Sequence, residues 1–225
     1  MPDFVLDRGE AYIGVLIDDL VTRGVVEPYR MLTARAEYRL VLRADNADLR
    51  LTEKGARVGV VEGERLRRVR EKRARIEALR RRLEELALTP HEARAHGLPV
   101  SEDGRRRSAL ELLRLPGVDL RRLAGVWPEL LRFGADAAEQ VEIEARYAGY
   151  IERQLAEIRL MRREEEMLLP ADLDYAAIPG LSSAARAVLE RVRPRSLGQA
   201  ARIPGITPAA LVVLARHARR PSRAA

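Results

Sequence analysis

The chain has 225 residues, 47% apolar and 33% charged, with 41 basic against 34 acidic residues, a net charge of +7 and no cysteine. That composition suits one globular domain or two small ones and argues against disorder. The missing cysteines exclude a disulfide scaffold, a thiolate metal site, an iron–sulfur cluster and cysteine catalysis, and three histidines leave little for metal or serine–histidine–aspartate chemistry. No uncharged apolar run reaches the ~20 residues that span a bilayer. No basic-then-apolar leader opens the chain. A soluble cytoplasmic protein with no membrane contact is the expectation.

In chain order, residues 11–22 read as a short helix. Tyr29-Arg30-Met31-Leu32 and Tyr38-Arg39-Leu40-Val41-Leu42 are β-prone and roughly alternating, which predicts a small hairpin joined through residues 33–37. From Thr52 onward the pattern is helical. Residues 62–88 form the clearest long helix: Val69, Ile76 and Leu83 recur every seven residues, and Leu66, Leu79 and Leu86 widen the stripe. One apolar stripe on a charged rod packs through a single face, as an element of a bundle rather than a coiled coil. Pro90, Gly97, Pro99 and Gly104 mark a short helix and a loop over residues 89–108.

A second long helix is expected over residues 136–167, with Asp136 and Glu139 as a capping box and Pro170 as its stop. Gly149 inside it predicts a close approach to the backbone. Farther on, Ile178-Pro179-Gly180-Leu181-Ser182 and Ile203-Pro204-Gly205-Ile206-Thr207 repeat 25 residues apart, and Leu115-Pro116-Gly117-Val118-Asp119 is a weaker copy. In each, Pro-Gly turns the chain and Ser, Thr or Asp caps the next helix. The device serves equally well as a simple helix start or as a source of free N–H groups for phosphates. The expected architecture is mainly α: a helical bundle with long helices, a small β-hairpin near the N-terminus and a small C-terminal helical subdomain. It divides at residues 1–50, 51–170 and 171–225.

Charge is unevenly spread. Residues 176–225 hold nine arginines and one acid, Glu190, so the whole basic excess lies there. A preference for arginine over lysine is general in this chain, which has only Lys54 and Lys72, but it does not account for the missing acids. An acid-poor arginine segment is the footprint of a polyanion binder. Arg186, Arg193, Arg195 and Arg202 flank the Pro-Gly turns and are the candidate contacts to nucleic-acid phosphates. Phosphate-binding loops and dinucleotide fingerprints are missing. Asp18 and Asp19, adjacent on a helix, point different ways and do not suggest a shared-proton pair. The residues therefore argue for binding, with no catalytic residue, cofactor ligand or metal ligand assigned.

Several strings resemble the MnmG (GidA) family of FAD-dependent tRNA wobble-uridine carboxymethylaminomethyl-modifying enzymes. They are Ala11-Tyr12-Ile13-Gly14-Val15-Leu16-Ile17-Asp18-Asp19-Leu20-Val21, Glu27-Pro28-Tyr29-Arg30-Met31, Arg35-Ala36-Glu37-Tyr38-Arg39-Leu40, Asp45-Asn46-Ala47-Asp48-Leu49-Arg50-Leu51-Thr52, Glu139-Gln140-Val141-Glu142-Ile143 and Leu173-Asp174-Tyr175. The resemblance covers nearly the whole chain, with residues 89–133 matching least. The family's glycine-rich FAD fingerprint and nicotinamide segment are not in this sequence, so it implies a C-terminal portion, inactive alone, that binds no cofactor by itself. For the complete enzyme it implies FAD, NADH as reductant, a methylenetetrahydrofolate carbon donor, the GTPase MnmE as partner and a homodimer. It places Arg30, Arg35 and Arg39 facing the flavin domain and tRNA, the alternative being an Arg39–Glu37 pair across a strand edge. Asp45, Asn46 and Asp48 read as turn and cap residues. Tyr147, Gly149, Tyr150 and Arg153 form either a partner- or tRNA-docking face or, for the tyrosines, part of the core. Two rival classes are a stand-alone helical nucleic-acid adaptor and a structural dimerisation or partner-docking module.

Overall fold

A computed structural model describes residues 4–24 and 27–218. The chain divides into two units, one made of Met1–Val41 with Arg153–Ala225 and the other of Leu42–Glu152. Three of the nine C-terminal arginines, Arg219, Arg220 and Arg223, lie outside the described residues.

The middle unit holds α2 (Ala47–Arg57), α3 (Gly63–Glu85), strand β1 (Ala87–Leu88), α4 (Pro90–Ala95), strand β2 (Arg107–Ser108), α5 (Ala109–Leu112), α6 (Leu120–Ala124) and α7 (Ala135–Arg146); α1 (Tyr12–Thr22) precedes them in the other unit. The stripe on α3 does what its spacing requires: Val69, Ile76, Leu79 and Leu83 are buried, and the helix packs between α2 and α7. Ile76, Leu79 and Leu83 join Leu112, Leu123, Leu130 and Val141 in one core, each large side chain contributing ~1.5–3 kcal/mol of burial. Short helices start on strong caps. Thr89 with Glu92 and Ser108 with Glu111 form reciprocal capping boxes, and Asp119 accepts from the Arg122 amide at 2.7 Å.

The mainly helical expectation holds, but the β element lies elsewhere. The only sheet among the described residues pairs β1 with β2 antiparallel, Ala87 opposite Ser108 and Leu88 opposite Arg107. Residues 33–35 form a 3₁₀ turn instead of a hairpin connection. The reason lies in where the backbone donors go. The Leu40 N–H reaches Gln154 Oε1 at 3.2 Å and the Val41 N–H is shared between it and Tyr38 O, so a side chain and a local turn take the place of a neighbouring strand.

The expected helix over residues 136–167 is two helices, α7 and α8 (Ala148–Glu165), broken at Tyr147. The bonds Tyr147 N–H to Ile143 O and Ile151 N–H to Tyr147 O carry hydrogen bonding across the break. Asp136 makes no capping box. Gly134, at φ 85°, occupies the cap position, and Asp136 pairs with Arg75 at 2.6 Å. Gly149 faces open space, so nothing approaches its backbone closely; it sits one residue inside the start of α8, outside the helix interior where glycine costs most.

In the discontinuous unit, α9 (Ser183–Val192), α10 (Leu197–Arg202) and α11 (Pro208–Ala215) complete the elements. Tyr175, Ile178, Leu181, Leu189, Ile203 and Leu214 form their core. The sequence echo is a structural one. Gly180 and Gly205 adopt φ of 87° and 92°, conformations that side-chain-bearing residues rarely adopt. Ser182 and Thr207 then cap α9 and α11 by accepting from Ala185 N–H and Ala210 N–H. Gly117, at φ 73°, and Asp119 repeat the device before α6.

Candidate nucleic-acid interface

The four C-terminal arginines proposed as phosphate contacts have different surroundings. Arg195 is exposed; among the described residues only its backbone is engaged, the N–H donating to Gln199 Oε1 at 2.8 Å and the carbonyl accepting from Leu169 N–H. Arg193 ends α9 in the left-handed region at φ 51°, donates to Leu173 O at 3.0 Å and stands 5.5 Å from the Tyr175 ring centroid, yet remains exposed. Arg186 turns inward, donating to Ile178 O at 3.1 Å, and its Nε is buried without a partner. Arg202 is only 16% exposed and grips Asp18 with two bonds of 2.7 and 2.9 Å while also pairing with Glu165. Arg191, beside these, is exposed with no ion-pair partner among the described residues. Arg191, Arg193 and Arg195 thus form a solvent-facing run at the end of α9.

Arg202 belongs to a buried ion network that the sequence did not announce. Arg8, 3% exposed, donates to Asp18 at 3.0 Å, Asp19 at 2.8 Å and Glu37 at 2.9 Å. The adjacent carboxylates of Asp18 and Asp19 both accept from Arg8 Nη1, while Glu37 takes Nη2. Tyr29 OH donates to Asp19 at 2.8 Å, and Ser196 donates to Glu165. Burial opposes the charge on Arg8, but its hydrogen bonds to Asp19 and Glu37 outweigh it and hold its pKa above the ordinary value. Burial likewise pushes the Asp19 carboxyl up, and the bonds from Arg8 and Tyr29 overcome this and hold it below the usual range. Arg202 is raised for the same kind of reason, its burial offset by Asp18 and Glu165.

Among the N-terminal candidates, Arg30 and Arg39 are exposed, while Arg35 lies over the Tyr29 ring at 4.5 Å. Glu37 pairs with Arg8, so the Arg39–Glu37 alternative is not what forms. Tyr147 and Tyr150 are exposed, at 38% and 61%, which removes core packing as their role. Gly149 is exposed beside them in the middle unit, and Arg153, also exposed, belongs to the other unit.

The basic rod α3 presents a different surface. Arg67, Arg70, Arg75, Arg80 and Arg82 are each matched by a carboxylate, on Glu71, Glu53, Asp136, Glu144 and Glu129 respectively. Such surface pairs stabilise by only ~0–1 kcal/mol, but they neutralise the rod.

Among the described residues no group of three His, Cys, Asp or Glu side chains is placed to hold a metal ion, and no helix is long and apolar enough to cross a membrane. The described residues do not fit a flavin dinucleotide either: two antiparallel strands of two residues each offer no β–α–β cradle for a pyrophosphate.

Two family descriptions match the sequence: the tRNA modifying enzyme MnmG/GidA C-terminal helical domain over residues 63–155 and the MnmG/GidA C-terminal helical bundle over residues 157–225. The tRNA uridine 5-carboxymethylaminomethyl modification enzyme MnmG of Geotalea uraniireducens is 48% identical over 215 residues, 93% of this chain and 34% of its own length. That of Geobacter sulfurreducens is 50% identical over 213 residues, with the same shares. The crystal structure of Aquifex aeolicus GidA in its form II crystal superposes with a TM-score of 0.79 at 36% identity, covering 94% of this chain and 33% of that one. The chain therefore spans about a third of the length of the curated relatives it matches. It belongs to the MnmG/GidA family, of which it carries the C-terminal helical region.

Proposed function

We propose that this chain is the tRNA- and partner-binding portion of an MnmG-type enzyme that adds a carboxymethylaminomethyl group to the wobble uridine of tRNA in the cytoplasm. FAD and NADH chemistry belongs, on this reading, to the part of the enzyme this chain does not span. The observation that carries it is the exposed run Arg191, Arg193 and Arg195 at the end of α9, which Glu190 alone opposes in residues 176–225. Helix α3, by contrast, has most of its guanidinium groups matched by acids. Unmatched arginines release counterions from a phosphate backbone and give affinity that falls with salt. Arg30 and Arg39, exposed in the same unit, extend the same role, whereas Arg186 and Arg202 are engaged internally and act by holding the subdomain. Tyr147 and Tyr150, exposed on either side of Gly149, suit a protein partner, since tyrosine supplies much of the contact area at interfaces. By family resemblance that partner is an MnmE-type GTPase, and the complete enzyme is a homodimer.

The test is tRNA binding by fluorescence anisotropy across a salt series. Replacing Arg191 and Arg195 together by alanine is expected to weaken binding and to flatten the log K against log salt slope by about 2. An unchanged slope would remove this surface from the tRNA contact.

A further inference from the structure

Helical spacing sets two carboxylates of α8 along one side of a cavity. Glu157 and Glu164, seven residues apart, share a face of the helix to within ~20° and lie ~10.5 Å apart along its axis. Both are exposed, and neither makes an ion pair among the described residues. Leu160 and Met161 stand between them on the same face, and all four border a cavity of about 330 Å³. Arg159 and Arg163 fall on the opposite side of the helix by the same spacing.

The cavity walls are fixed by two close approaches. A Cβ on Gly198, in the first turn of α10, would meet Glu165 Oε1 at 2.9 Å, and one on Gly9 would meet Ile158 Cγ2 at 2.7 Å, so both neighbouring segments press on α8. Tyr38, 8% exposed, borders the same space. Its hydroxyl is bonded to nothing among the described residues and is not sealed from solvent, so it opens into the cavity. Burial, with the carboxylates of Glu37 and Glu157, raises the pKa of this phenol against the pull of Arg8 and Arg202, and it stays neutral at pH 7.

Charge selects the occupant. Arg8 and Arg202 also border the cavity, but they serve four carboxylates, on Asp18, Asp19, Glu37 and Glu165. Two cations against four anions leave that network at −2, and Glu157 and Glu164 bring the cavity to −4. This excess sits on a chain of net charge +7, so it is local. Two carboxylates at the ends of an apolar floor, with a neutral hydroxyl beside them, match a flexible aliphatic chain carrying an ammonium group at each end. We propose that the cavity binds a linear aliphatic polyamine of the spermidine type. Its terminal ammonium groups sit on Glu157 and Glu164, its methylenes lie on Leu160 and Met161, and the Tyr38 hydroxyl accepts from an ammonium N–H.

Isothermal titration calorimetry of the 225-residue chain with spermidine, at low salt and pH 7, tests this without tRNA and so independently of the tRNA reading. Saturable one-to-one binding with a Kd below about 1 mM is expected; a chain of net charge +7 gives no diffuse attraction to imitate it. Glu157→Gln with Glu164→Gln should weaken binding about tenfold, as for two exposed ion pairs, and Tyr38→Phe about threefold, as for one hydrogen bond. Asp172→Asn with Glu190→Gln removes the same charge from exposed positions outside the cavity and should change affinity by less than about twofold. 1,3-Diaminopropane and 1,8-diaminooctane carry equal charge, but only the longer reaches both glutamates. It should bind at least about fivefold more tightly, and lose that advantage in the Glu157→Gln, Glu164→Gln variant. Absence of saturable binding, an unchanged affinity in Tyr38→Phe, an equal loss in the control pair, or equal affinity for the two diamines would each overturn the proposal. Should a variant fail to fold, the diamine comparison on the unaltered chain still decides.

Discussion

Replacing Arg8 with methionine keeps much of the side-chain volume and removes the charge. Asp18 and Asp19, with side chains 11% and 5% exposed, lose a guanidinium at 3.0 and 2.8 Å. Breaking a buried pair from one side costs ~3–5 kcal/mol. The lower end applies here, because Asp18 keeps Arg202 and Asp19 keeps the Tyr29 hydroxyl. A loss of ~3 kcal/mol in a unit of this size corresponds to a melting temperature lower by roughly 12 °C. Urea and thermal denaturation at pH 7, followed by far-UV circular dichroism, measure it. The pH dependence supplies a second reading. Asp19 has a depressed folded-state pKa, so its contribution is present above the unfolded carboxylate value of about 4 and is lost as pH falls through the lower folded value. The gap between wild type and variant should therefore narrow between about pH 5 and pH 3. A loss below about 1 kcal/mol at pH 7, the range of exposed ion pairs, would refute the view that this network is buried and interdependent.

Arg202→Ala and Arg195→Ala should separate structure from binding: the first costs ~2–3 kcal/mol of stability and leaves the tRNA salt slope unchanged, while the second is neutral in stability and flattens the slope by about 1. Gly149→Ala, in open space near the start of α8, should stabilise by less than ~0.5 kcal/mol, because the full glycine cost applies only to a helix interior. Gly205→Ala, forced to φ 92°, should destabilise by ~1–2 kcal/mol, both read from urea midpoints. Gln154→Ala removes the Oε1 acceptor shared by two backbone amides. It should cost ~1 kcal/mol and speed hydrogen exchange at Leu40 more than at Val41, which keeps Tyr38 O.

What the sequence disclosed was local. The seven-residue recurrence of Val69, Ile76 and Leu83 places all three in the core, because helix period and burial are the same information. The Pro-Gly echo is equally legible, since a positive-φ glycine followed by a capping hydroxyl uses only neighbours in sequence. The hairpin expectation failed for the opposite reason: the group that takes the Leu40 N–H is 114 residues away, and alternation over four or five residues cannot say whether a strand has a partner. At the candidate site, the excess of arginine was visible, but its allocation was not. Arg195 and Arg202 lie in the same acid-free stretch, and only the fold brings Asp18 to one of them. Arg8 carried no signal, being one arginine in a segment with more acids than bases.

The Asp18–Arg202 pair closes a loop of 184 residues around the whole of Leu42–Glu152. On a ribosome adding about 5–20 residues per second, Arg202 follows Asp18 by roughly 10–40 s. The middle unit has its complete sequence well before then and can finish folding on its own. The segment before Leu42 must wait, with Asp18 unmatched by Arg202. Nascent-chain handling by a chaperone should therefore concentrate on the segment before Leu42, which is made before the middle unit and completed after it.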